Sequence, residues 1–396
     1  MGLSQRITGL TGGGSDGWDV FIKAREMIAA GTDVTELTIG EHDIRTAAPV
    51  LQEMHRAAMG GHTGYAAVPG TKALRETVAA RVQQRTGVPT GPENVLITPG
   101  GQAALFAAHM AACDAGDTAL YIDPYYATYP GTIRGAGAVP QVVKAHAGNA
   151  FQPRAADIAA HAGKAASLLV NTPNNPTGVV YAPKTLEGIA EVCCTHDLWL
   201  ISDEVYDSQV WEGRHISPRA LPHMSERTLV VGSMSKSHAM TGSRCGWIVG
   251  PEDAITHLIN LATHTTYGVP GFIQDASCFA LQQGEAFEAE IAAPFVRRRA
   301  LAQDIIARQN TIGLVPAQGA MYLMLDIRAT GMTGEAFAYD LLDAHHIAVM
   351  PGESFGQAAA GHLRIAMTVD DKSFADALKT LIAHAQLRAN QNQAAQ

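Results

Sequence analysis

The chain has 396 residues, 47% of them hydrophobic and 16% charged, which is enough for two domains, or one large and one small, with a substantial buried core. Its net charge of −9 argues against sequence-independent binding of nucleic acid, since that requires a basic surface. The uncharged run after Asn94 is interrupted by Pro99, Gly100 and Gly101, so we predict no transmembrane helix there. The five cysteines show no paired metal-ligand spacing, which favours a reduced, cytoplasmic protein without a metal site.

In chain order, apolar spacing predicts a first helix over about Asp16–Ala30, behind a glycine-rich arm, and a short strand over Glu36–Ile39. The next predicted helices are about Ala48–Met59 and Thr71–Thr86. Strands and helices then alternate, with strands Val95–Thr98, Ala119–Ile122, Ser167–Val170 and Leu198–Ile201 and helices Ala103–Ala112 and Pro183–Thr195. This alternation indicates an α/β fold whose large domain has a mostly parallel central sheet flanked by helices.

The C-terminal part has a different pattern, in which a long helix from about Gly284 to Gln309 precedes shorter elements. These are strands Met321–Leu325, Ile347–Met350 and His362–Ile365 and helices Gly334–His345 and Asp371–Gln386. They indicate a smaller α/β domain that packs with the N-terminal segment. We therefore expect residues 1–46 to form an arm and part of the small domain, residues 47–283 the large domain, and residues 284–396 the C-terminal small domain.

One lysine, Lys236, stands among small hydroxyl residues after an apolar strand that begins at Thr228. Ser233, Ser235 and the nearby Arg244 are side chains that bond well to a phosphate monoester. A free lysine titrates at about 10.4 and would have to shift to roughly 7–8 before acting as a base near neutrality. An imine to an aldehyde removes much of that difficulty, because its nitrogen titrates lower than an amine. These residues therefore indicate a phosphorylated carbonyl cofactor bound covalently to Lys236.

The pattern Ser-x-Ser-Lys followed by Gly-x-Arg-x-Gly resembles the lysine region of the class I/II aminotransferases, the aspartate-aminotransferase-like branch of pyridoxal-phosphate enzymes of fold type I. The resemblance covers nearly the whole chain, from about Trp18 to His384. It implies that pyridoxal 5'-phosphate is the cofactor, that Lys236 forms its Schiff base, and that Arg244, Ser233 and Ser235 bind its phosphate.

A glycine turn upstream joins a strand to a helix, and glycines at a helix start expose amide groups that suit an anion. By the resemblance, Gly100, Gly101 and Gln102 contribute to phosphate binding, and Tyr65 reaches across a dimer interface to the cofactor phosphate of the other subunit. The resemblance therefore implies a homodimer with shared active sites.

The resemblance also assigns residues to the cofactor ring. Tyr126 would stack on the pyridine face by offset π contact, and Asn175, in the motif Asn-Pro-Thr-Gly, would bond the phenolic oxygen together with Tyr206. Asp203 follows a buried strand, where an unpaired carboxylate is costly, and a protonated pyridine nitrogen would supply its cation. That pairing would make the ring an electron sink.

For the substrate, the resemblance implies that Arg364 clamps the α-carboxylate by two parallel hydrogen bonds, with Asn175 and the backbone of Gly40 beside it. Trp18 has two interpretations, as a residue that lines the pocket or as an anchor of the core. The bound amino acid and the small 2-oxo acid that accepts its amino group are then the protein's partners.

The identity of the amino donor depends on less specific features. Residues 196–206, 235–242 and 272–276 resemble arginine–pyruvate aminotransferases. His42 and Arg45, however, replace the family's usual proline and second aspartate, and near the pocket they would repel a guanidinium. We therefore expect an aminotransferase with an acidic donor such as aspartate and a small acceptor such as pyruvate or glyoxylate. The alternatives are an arginine–pyruvate-type aminotransferase and a carbon–sulfur β-lyase.

Overall fold

The computed structural model describes residues 1–13 and 17–395. The α-helices of this part of the chain are α1 (Gln5–Thr8), α2 (Asp19–Ala29), α3 (Ala48–Met59), α4 (Lys72–Thr86), α5 (Gly101–Ala112), α6 (Tyr129–Ala136), α7 (Ala155–Ala162), α8 (Pro183–Thr195), α9 (Met234–Ser237), α10 (Glu252–Thr263), α11 (Gly271–Gln282), α12 (Gly284–Ile306), α13 (Gly334–His345) and α14 (Asp371–Ala395). Its strands are β1 (Thr35–Glu36), β2 (Val95–Thr98), β3 (Thr118–Asp123), β4 (Val139–Lys144), β5 (Ala165–Asn171), β6 (Trp199–Asp203), β7 (Thr228–Ser233), β8 (Gly246–Val249), β9 (Gly313–Leu314), β10 (Tyr322–Asp326), β11 (Ile347–Ala348), β12 (Met350–Pro351) and β13 (His362–Ala366).

The main sheet, as far as the described residues form it, has seven strands in the order β2-β8-β7-β6-β5-β3-β4. The strands from β7 to β4 are parallel to their neighbours, whereas β8 is antiparallel to both β2 and β7. All residues of β2, β7 and β8 are buried, as expected for a sheet covered on both faces. The α/β fold predicted from the sequence, with its mostly parallel central sheet, is confirmed.

A second sheet lies in the C-terminal part, where four described strands pair antiparallel in the order β12-β13-β10-β9. Strand β1 pairs in parallel with β11. The hydrophobic core around this sheet combines Val20, Ala24 and Leu37 with apolar residues between Phe295 and Ala385. The N-terminal segment therefore packs against the C-terminal elements.

Local sequence explains why many predicted boundaries agree with the structure. Helix α4 begins after Thr71, whose hydroxyl accepts the Leu74 N–H, and ends at Gly87, which adopts a φ of 73°. A left-handed residue at this position favours glycine and ends the helix. Helix α8 begins with Pro183, whose ring suits the first turn.

Other elements depend on tertiary contacts. Strand β4, helix α6 and helix α7 were not identified from the sequence, and β4 is a mostly exposed edge strand that contains Pro140. Helix α14 continues to Ala395, whereas the prediction ended it near Gln386. In the added turns, Arg388 donates to the Asp340 carboxylate at 2.6 and 2.7 Å.

The predicted start of the first helix, at Asp16, lies outside the described residues. Within the two described ranges, no helix combines the length and apolar content that a membrane crossing requires.

Candidate active site

A cavity of about 320 Å³ lies at the carboxyl ends of β5, β6 and β7, beside the glycine turn after β2. In open α/β sheets, ligands bind at this edge. The predicted site residues that line the cavity are Trp18, Gly40, Gly101, Gln102, Tyr126, Asn175, Asp203, Tyr206, Ser233, Ser235, Lys236, Arg244 and Arg364. The fold thus brings most of the predicted site together.

Lys236 is placed by the short helix α9, directly after β7. Ser233 caps this helix, because its hydroxyl accepts the Ser235 N–H at 3.1 Å. The Lys236 ammonium donates to the Gly40 carbonyl, and burial lowers the pKa of Lys236 below its ordinary value. A lowered pKa favours the neutral amine, which is the nucleophilic and basic form.

Asp203 is the last residue of β6 and is 4% exposed. The Tyr129 hydroxyl donates to its Oδ2 at 2.7 Å, and the Val205 N–H donates to its Oδ1 at 3.3 Å. Burial nevertheless raises the pKa of the Asp203 carboxyl to about 6. Both donors are neutral, so a cationic ligand group would complete the pairing of this buried carboxylate.

Small residues leave room for an anion at the start of α5. Gly100 has a φ of 81°, and a Cβ there would lie 2.5 Å from Arg244 Nη2, so this position requires glycine. Gly100 forms the turn, while Gly101 and Gln102 line the cavity at a helix terminus without a side-chain cap. These amides, the nearby serine hydroxyls and the Arg244 guanidinium surround a space suited to phosphate.

Two hydrogen-bond donors face the cavity beside Lys236. Asn175 Oδ1 accepts a bond from Arg364 Nη1 at 3.0 Å, which leaves the amide nitrogen as a donor. The Tyr206 hydroxyl lies 3.1 Å from that of Tyr322, and burial raises the pKa of Tyr206, so its phenol stays protonated. Both donors can therefore bond to a cofactor oxygen.

Tyr126 presents an aromatic ring to the cavity. Its ring packs edge-on against Tyr129 at 5.8 Å between centroids, and burial raises the pKa of Tyr126 to about 12. Tyr129 thus contacts both Tyr126 and Asp203.

Arg364 lies within β13 and is 1% exposed. Its Cζ is 4.4 Å from the ring centroid of Tyr322 and 4.3 Å from that of Phe355. The guanidinium donates to Asn175 Oδ1 and to the Thr38 carbonyl, whereas its Nε has no hydrogen-bond partner in residues 1–13 and 17–395. Burial lowers the pKa of Arg364. A buried guanidinium bonded only to neutral groups is a strong site for a carboxylate ligand.

Two further predicted residues, Gly40 and Trp18, also line the cavity. A Cβ at Gly40 would lie 1.7 Å from the Tyr322 hydroxyl oxygen, so only glycine fits beside that ring. Trp18 is half-buried and lines both this cavity and a neighbouring one of about 760 Å³.

Other predicted residues lie away from the cavity. Tyr65 is 91% exposed, with its ring 5.2 Å from that of Tyr267. Arg45 is exposed and does not line the cavity, and His42 is buried against Phe295 with its pKa lowered by burial to about 4. Neither residue therefore adds positive charge to this cavity wall, which was the reason for expecting an acidic donor.

The structure also adds residues that the sequence analysis did not identify. Tyr129 is the first residue of α6 and lies three positions after Tyr126, in the same aromatic run of the sequence. Tyr322 contacts Arg364 only because β10 pairs with β13, for which the sequence has no local signal. Glu41 lines the cavity, and its carboxylate accepts a bond from the Thr241 hydroxyl at 3.0 Å.

These features fit pyridoxal 5'-phosphate. The carboxylate of Asp203 accepts from neutral donors, Tyr129 and Val205, and suits a protonated ring nitrogen. The start of α5, with Arg244, suits the phosphate, and Lys236 suits the aldehyde.

Comparisons with known proteins agree. The sequence matches the family "Aminotransferase class I and II" over residues 32–381. The arginine–pyruvate transaminase of Pseudomonas aeruginosa is 37% identical, over 96% of each chain. The aspartate/prephenate aminotransferase of Thermus thermophilus is 34% identical, over 96% of this chain and 97% of its own. The solved aspartate aminotransferase of Thermus thermophilus with maleate has a TM-score of 0.90 and 32% identity, over 97% of this chain and 100% of that chain.

Matches of this extent, over nearly the full length of both chains, confirm the predicted activity, amino-group transfer to a 2-oxo acid, and the predicted cofactor. The chain therefore belongs to the class I and II aminotransferases, which use pyridoxal 5'-phosphate.

Proposed function

We propose that Lys236, Asp203 and Tyr206 are the catalytic residues for this transfer, and that Arg364 binds the α-carboxylate of both the donor amino acid and the 2-oxo acid. The observation that supports this most strongly is Arg364 itself. It is fully buried, bonded to neutral groups only, and it lines the same cavity as a lysine whose pKa is lowered.

Each residue then has a defined task. The cofactor, when bound, supplies the electron sink that acidifies the Cα proton of the donor. Lys236 Nζ, whose pKa is lowered by burial, takes that proton as a free amine and gives it to the carbonyl carbon of the cofactor. Arg364 orients the Cα–H bond toward Nζ by fixing the carboxylate.

The remaining residues hold the ring. Asp203 would pair with the protonated ring nitrogen of the cofactor, while the Tyr206 hydroxyl and the Asn175 amide would donate to its ring oxygen. Gly101, Gln102, Ser233, Ser235 and Arg244 would hold its phosphate, and Tyr126 would contact its ring face; all of these residues line the cavity.

Covalent attachment is tested by trapping it. Borohydride reduction of the holoenzyme, followed by peptide mass analysis, should place the reduced cofactor on Lys236. Lys144, an exposed lysine on β4, is the internal control and should stay unmodified. A protein that remains colourless after incubation with the cofactor, or labelling spread over many lysines, would contradict the proposal.

The charges of the cavity support a donor with a cationic side chain. The cationic side chains among its described lining residues are Lys236, Arg244 and Arg364, and the anionic ones are Asp203 and Glu41. The proposed roles occupy all of them except Glu41. A distal carboxylate of the donor would therefore meet no cation, whereas a guanidinium or ammonium would meet Glu41.

The cavity volume and the sequence similarity also support a cationic donor. Trp18 lines both this cavity and the neighbouring one of about 760 Å³, which supports room for a long side chain that extends past the indole. A relative with 37% identity is named arginine–pyruvate transaminase. We therefore propose arginine or a similar cationic amino acid as the donor and pyruvate as the acceptor.

An acidic donor such as aspartate, with pyruvate or glyoxylate as acceptor, is the second candidate. It is supported by relatives named aspartate aminotransferases, at 29–32% identity. It requires a cation from outside the cavity wall described above, either Arg45 after a movement of its segment or a residue of a second subunit.

A donor panel separates the two candidates. We expect kcat/KM for arginine to exceed that for aspartate at least tenfold, about 1.4 kcal/mol. Glu41→Gln should lower kcat/KM for arginine about tenfold and leave kcat/KM for alanine nearly unchanged. The exposed control Asp253→Asn should change kcat/KM for neither donor. If aspartate is preferred and Glu41→Gln has no effect, the acidic donor is correct. Release of pyruvate, ammonia and a thiol from cysteine S-conjugates would instead indicate the β-lyase.

We further propose a homodimer with shared active sites. The exposed pair Tyr65 and Tyr267 supports an interface there, because large exposed aromatic groups mark contact surfaces. Mixing Tyr65→Ala subunits with Lys236→Ala subunits should restore activity, since one site of each mixed dimer is then intact. Independent sites predict no recovery.

The domain division and the compartment are also proposals. The core that joins Val20, Ala24 and Leu37 to residues beyond Phe295 supports grouping residues 1–46 with 284–396, apart from 47–283. The five cysteines, all described and all free, support a reducing, cytoplasmic setting.

A further inference from the structure

An ion-pair ring of four charged side chains, none of which lines the cavity, includes Asp207, the residue next in sequence to the site residue Tyr206. Arg81 and Arg85 from α4 face Asp207 and Glu288. Glu288 belongs to α12. Arg81 bonds both carboxylates, with Nη2 at 3.2 Å from Asp207 Oδ1, and Arg85 also bonds both, with Nη2 at 2.8 Å from Glu288 Oε2. The two arginine cations therefore bridge the two carboxylates in a closed ring.

The ring is largely shielded from solvent. The side chain of Glu288 is 5% exposed, that of Arg81 12%, that of Asp207 18% and that of Arg85 26%. The two arginines hold the pKa of Asp207 well below its ordinary value, although burial opposes them. Ion pairs in such a setting are rigid, because breaking one leaves a buried charge without a partner.

The ring is joined to the active site by the chain itself. Asp207 directly follows Tyr206, and Gln209 completes a second link, since its side-chain amide donates to the Lys236 carbonyl at 3.1 Å. On the other side, His238 Nε2 lies 3.8 Å from Glu288 Oε1, and its Nδ1 contacts the Ser237 hydroxyl at 2.7 Å. His238 Nε2 makes no hydrogen bond to Glu288, so the ring is tied through Asp207 to the segment that carries Tyr206, and Gln209 of that segment bonds the Lys236 carbonyl.

We propose that Arg81, Arg85, Asp207 and Glu288 are positioning residues for the transamination site: they fix the backbone of Tyr206 so that its hydroxyl meets the ring oxygen of the cofactor. This inference rests on the proposed attachment of the cofactor at Lys236. A displacement of the hydroxyl by about 1 Å is enough to cost a large part of such a bond.

The proposal predicts a signature that a purely structural cluster lacks. A hydroxyl that donates to the ring oxygen of the cofactor stabilises the anionic form of that oxygen. The oxygen then attracts the proton on the lysine nitrogen less strongly. Loss of this bond should raise the pH midpoint of the absorbance change of the bound cofactor. Substitutions in the ion-pair ring leave unchanged the other charged or phenolic groups that act on Lys236, namely Tyr322, Glu41, Arg364 and Arg244.

The test compares Asp207→Asn with Asp340→Asn, both as holoenzymes. Asp340 is a matched control, because its carboxylate also joins two basic side chains, those of Arg388 and His384, but in the C-terminal part of the chain. We expect Asp207→Asn to raise the pH midpoint by about one unit, to lower kcat about tenfold and to weaken cofactor binding, with the donor KM within about twofold. Asp340→Asn should lower Tm and leave the midpoint and kcat unchanged.

A milder variant keeps the test decisive if Asp207→Asn does not fold. Arg85→Lys retains the charge but loses the planar fork, and should shift the midpoint in the same direction by a smaller amount. If Asp207→Asn and Arg85→Lys both lower Tm but keep the wild-type kcat and the wild-type pH midpoint of the absorbance change, the positioning role is overturned. A wild-type protein without a covalent cofactor at Lys236 overturns the proposed function itself, so the two failures are distinguishable.

Discussion

The Tyr129 hydroxyl donates a hydrogen bond of 2.7 Å to Asp203 Oδ2, across 74 positions of sequence. Tyr129 is 3% exposed, and this bond lowers the pKa of a carboxyl whose pKa burial raises. Tyr129 therefore helps Asp203 to stay ionised, which is the form that can hold a protonated ring nitrogen.

Removal of this bond should weaken catalysis. Tyr129→Phe keeps the ring and deletes the donor, so the pKa of Asp203 should rise and its hold on the ring nitrogen should weaken. We expect kcat to fall about tenfold, with donor KM within about twofold, since a hydrogen bond to a charged group contributes about 1.5–3 kcal/mol. Steady-state kinetics and cofactor titration measure both effects.

Tyr181→Phe is the matched control, because Tyr181 is buried and burial is the cause of its raised pKa. It should leave kcat unchanged. Equal kcat values for Tyr129→Phe and the wild type between pH 6 and pH 9 would show that the bond has no catalytic role.

A second prediction concerns stability and pH. The folded protein holds the Asp203 proton up to about pH 6, whereas the ordinary value is 3.8. The folded state thus binds more protons in this window, so the free energy of unfolding of the cofactor-free protein falls as pH rises from about 4 to about 6. Asp203→Asn removes this penalty and should stabilise the cofactor-free protein at pH 8 by up to about 3 kcal/mol.

Denaturant unfolding of both cofactor-free proteins at pH 5 and pH 8 checks the sign. The advantage of the variant should grow between these two values. With cofactor bound the order should reverse, because the wild-type carboxylate then has a cationic partner and the variant has none. A constant difference at both pH values would refute the assignment of the titration to Asp203.

The third prediction concerns the carboxylate clamp. Arg364→Ala should weaken the binding of all α-amino acid donors alike and leave the visible spectrum of the bound cofactor intact. Arg364→Lys keeps the charge but loses the two parallel bonds, so we expect a rise in donor KM of at least about tenfold for every donor. The exposed control Arg328→Lys, which pairs with Asp326 at the surface, should have no effect. Selective loss of activity with one donor would show instead that Arg364 binds the side chain of that donor.

The fourth prediction tests the close approach at Gly40. Gly40→Ala should destabilise the protein and lower activity, because the added Cβ would lie 1.7 Å from the Tyr322 hydroxyl oxygen and 2.6 Å from the ring carbon that carries it. Combination with Tyr322→Phe removes the oxygen and should restore part of the lost Tm. If the double variant is no better than the sum of the single ones, this contact does not explain the glycine.

Much of the fold could be read from the sequence, because its signals are local. The limits of α3, α8 and α13 follow from apolar spacing, a proline at the first turn and capping residues, and each agrees with the structure. The motif around Lys236 is equally local, since Ser233, Ser235 and Lys236 belong to one strand end and the helix that follows it.

Side-chain surroundings could not be read in this way. The sequence alone predicted the roles of Lys236, Asp203 and Arg364, because residue type and order along the chain suffice for that prediction. Only the tertiary structure decided that Arg45 stays outside the cavity and that Tyr322 stacks on Arg364. The physical reason is that burial, charge pairing and pKa depend on groups brought together by strand register and helix packing, and those distances are not encoded in any single stretch of the chain.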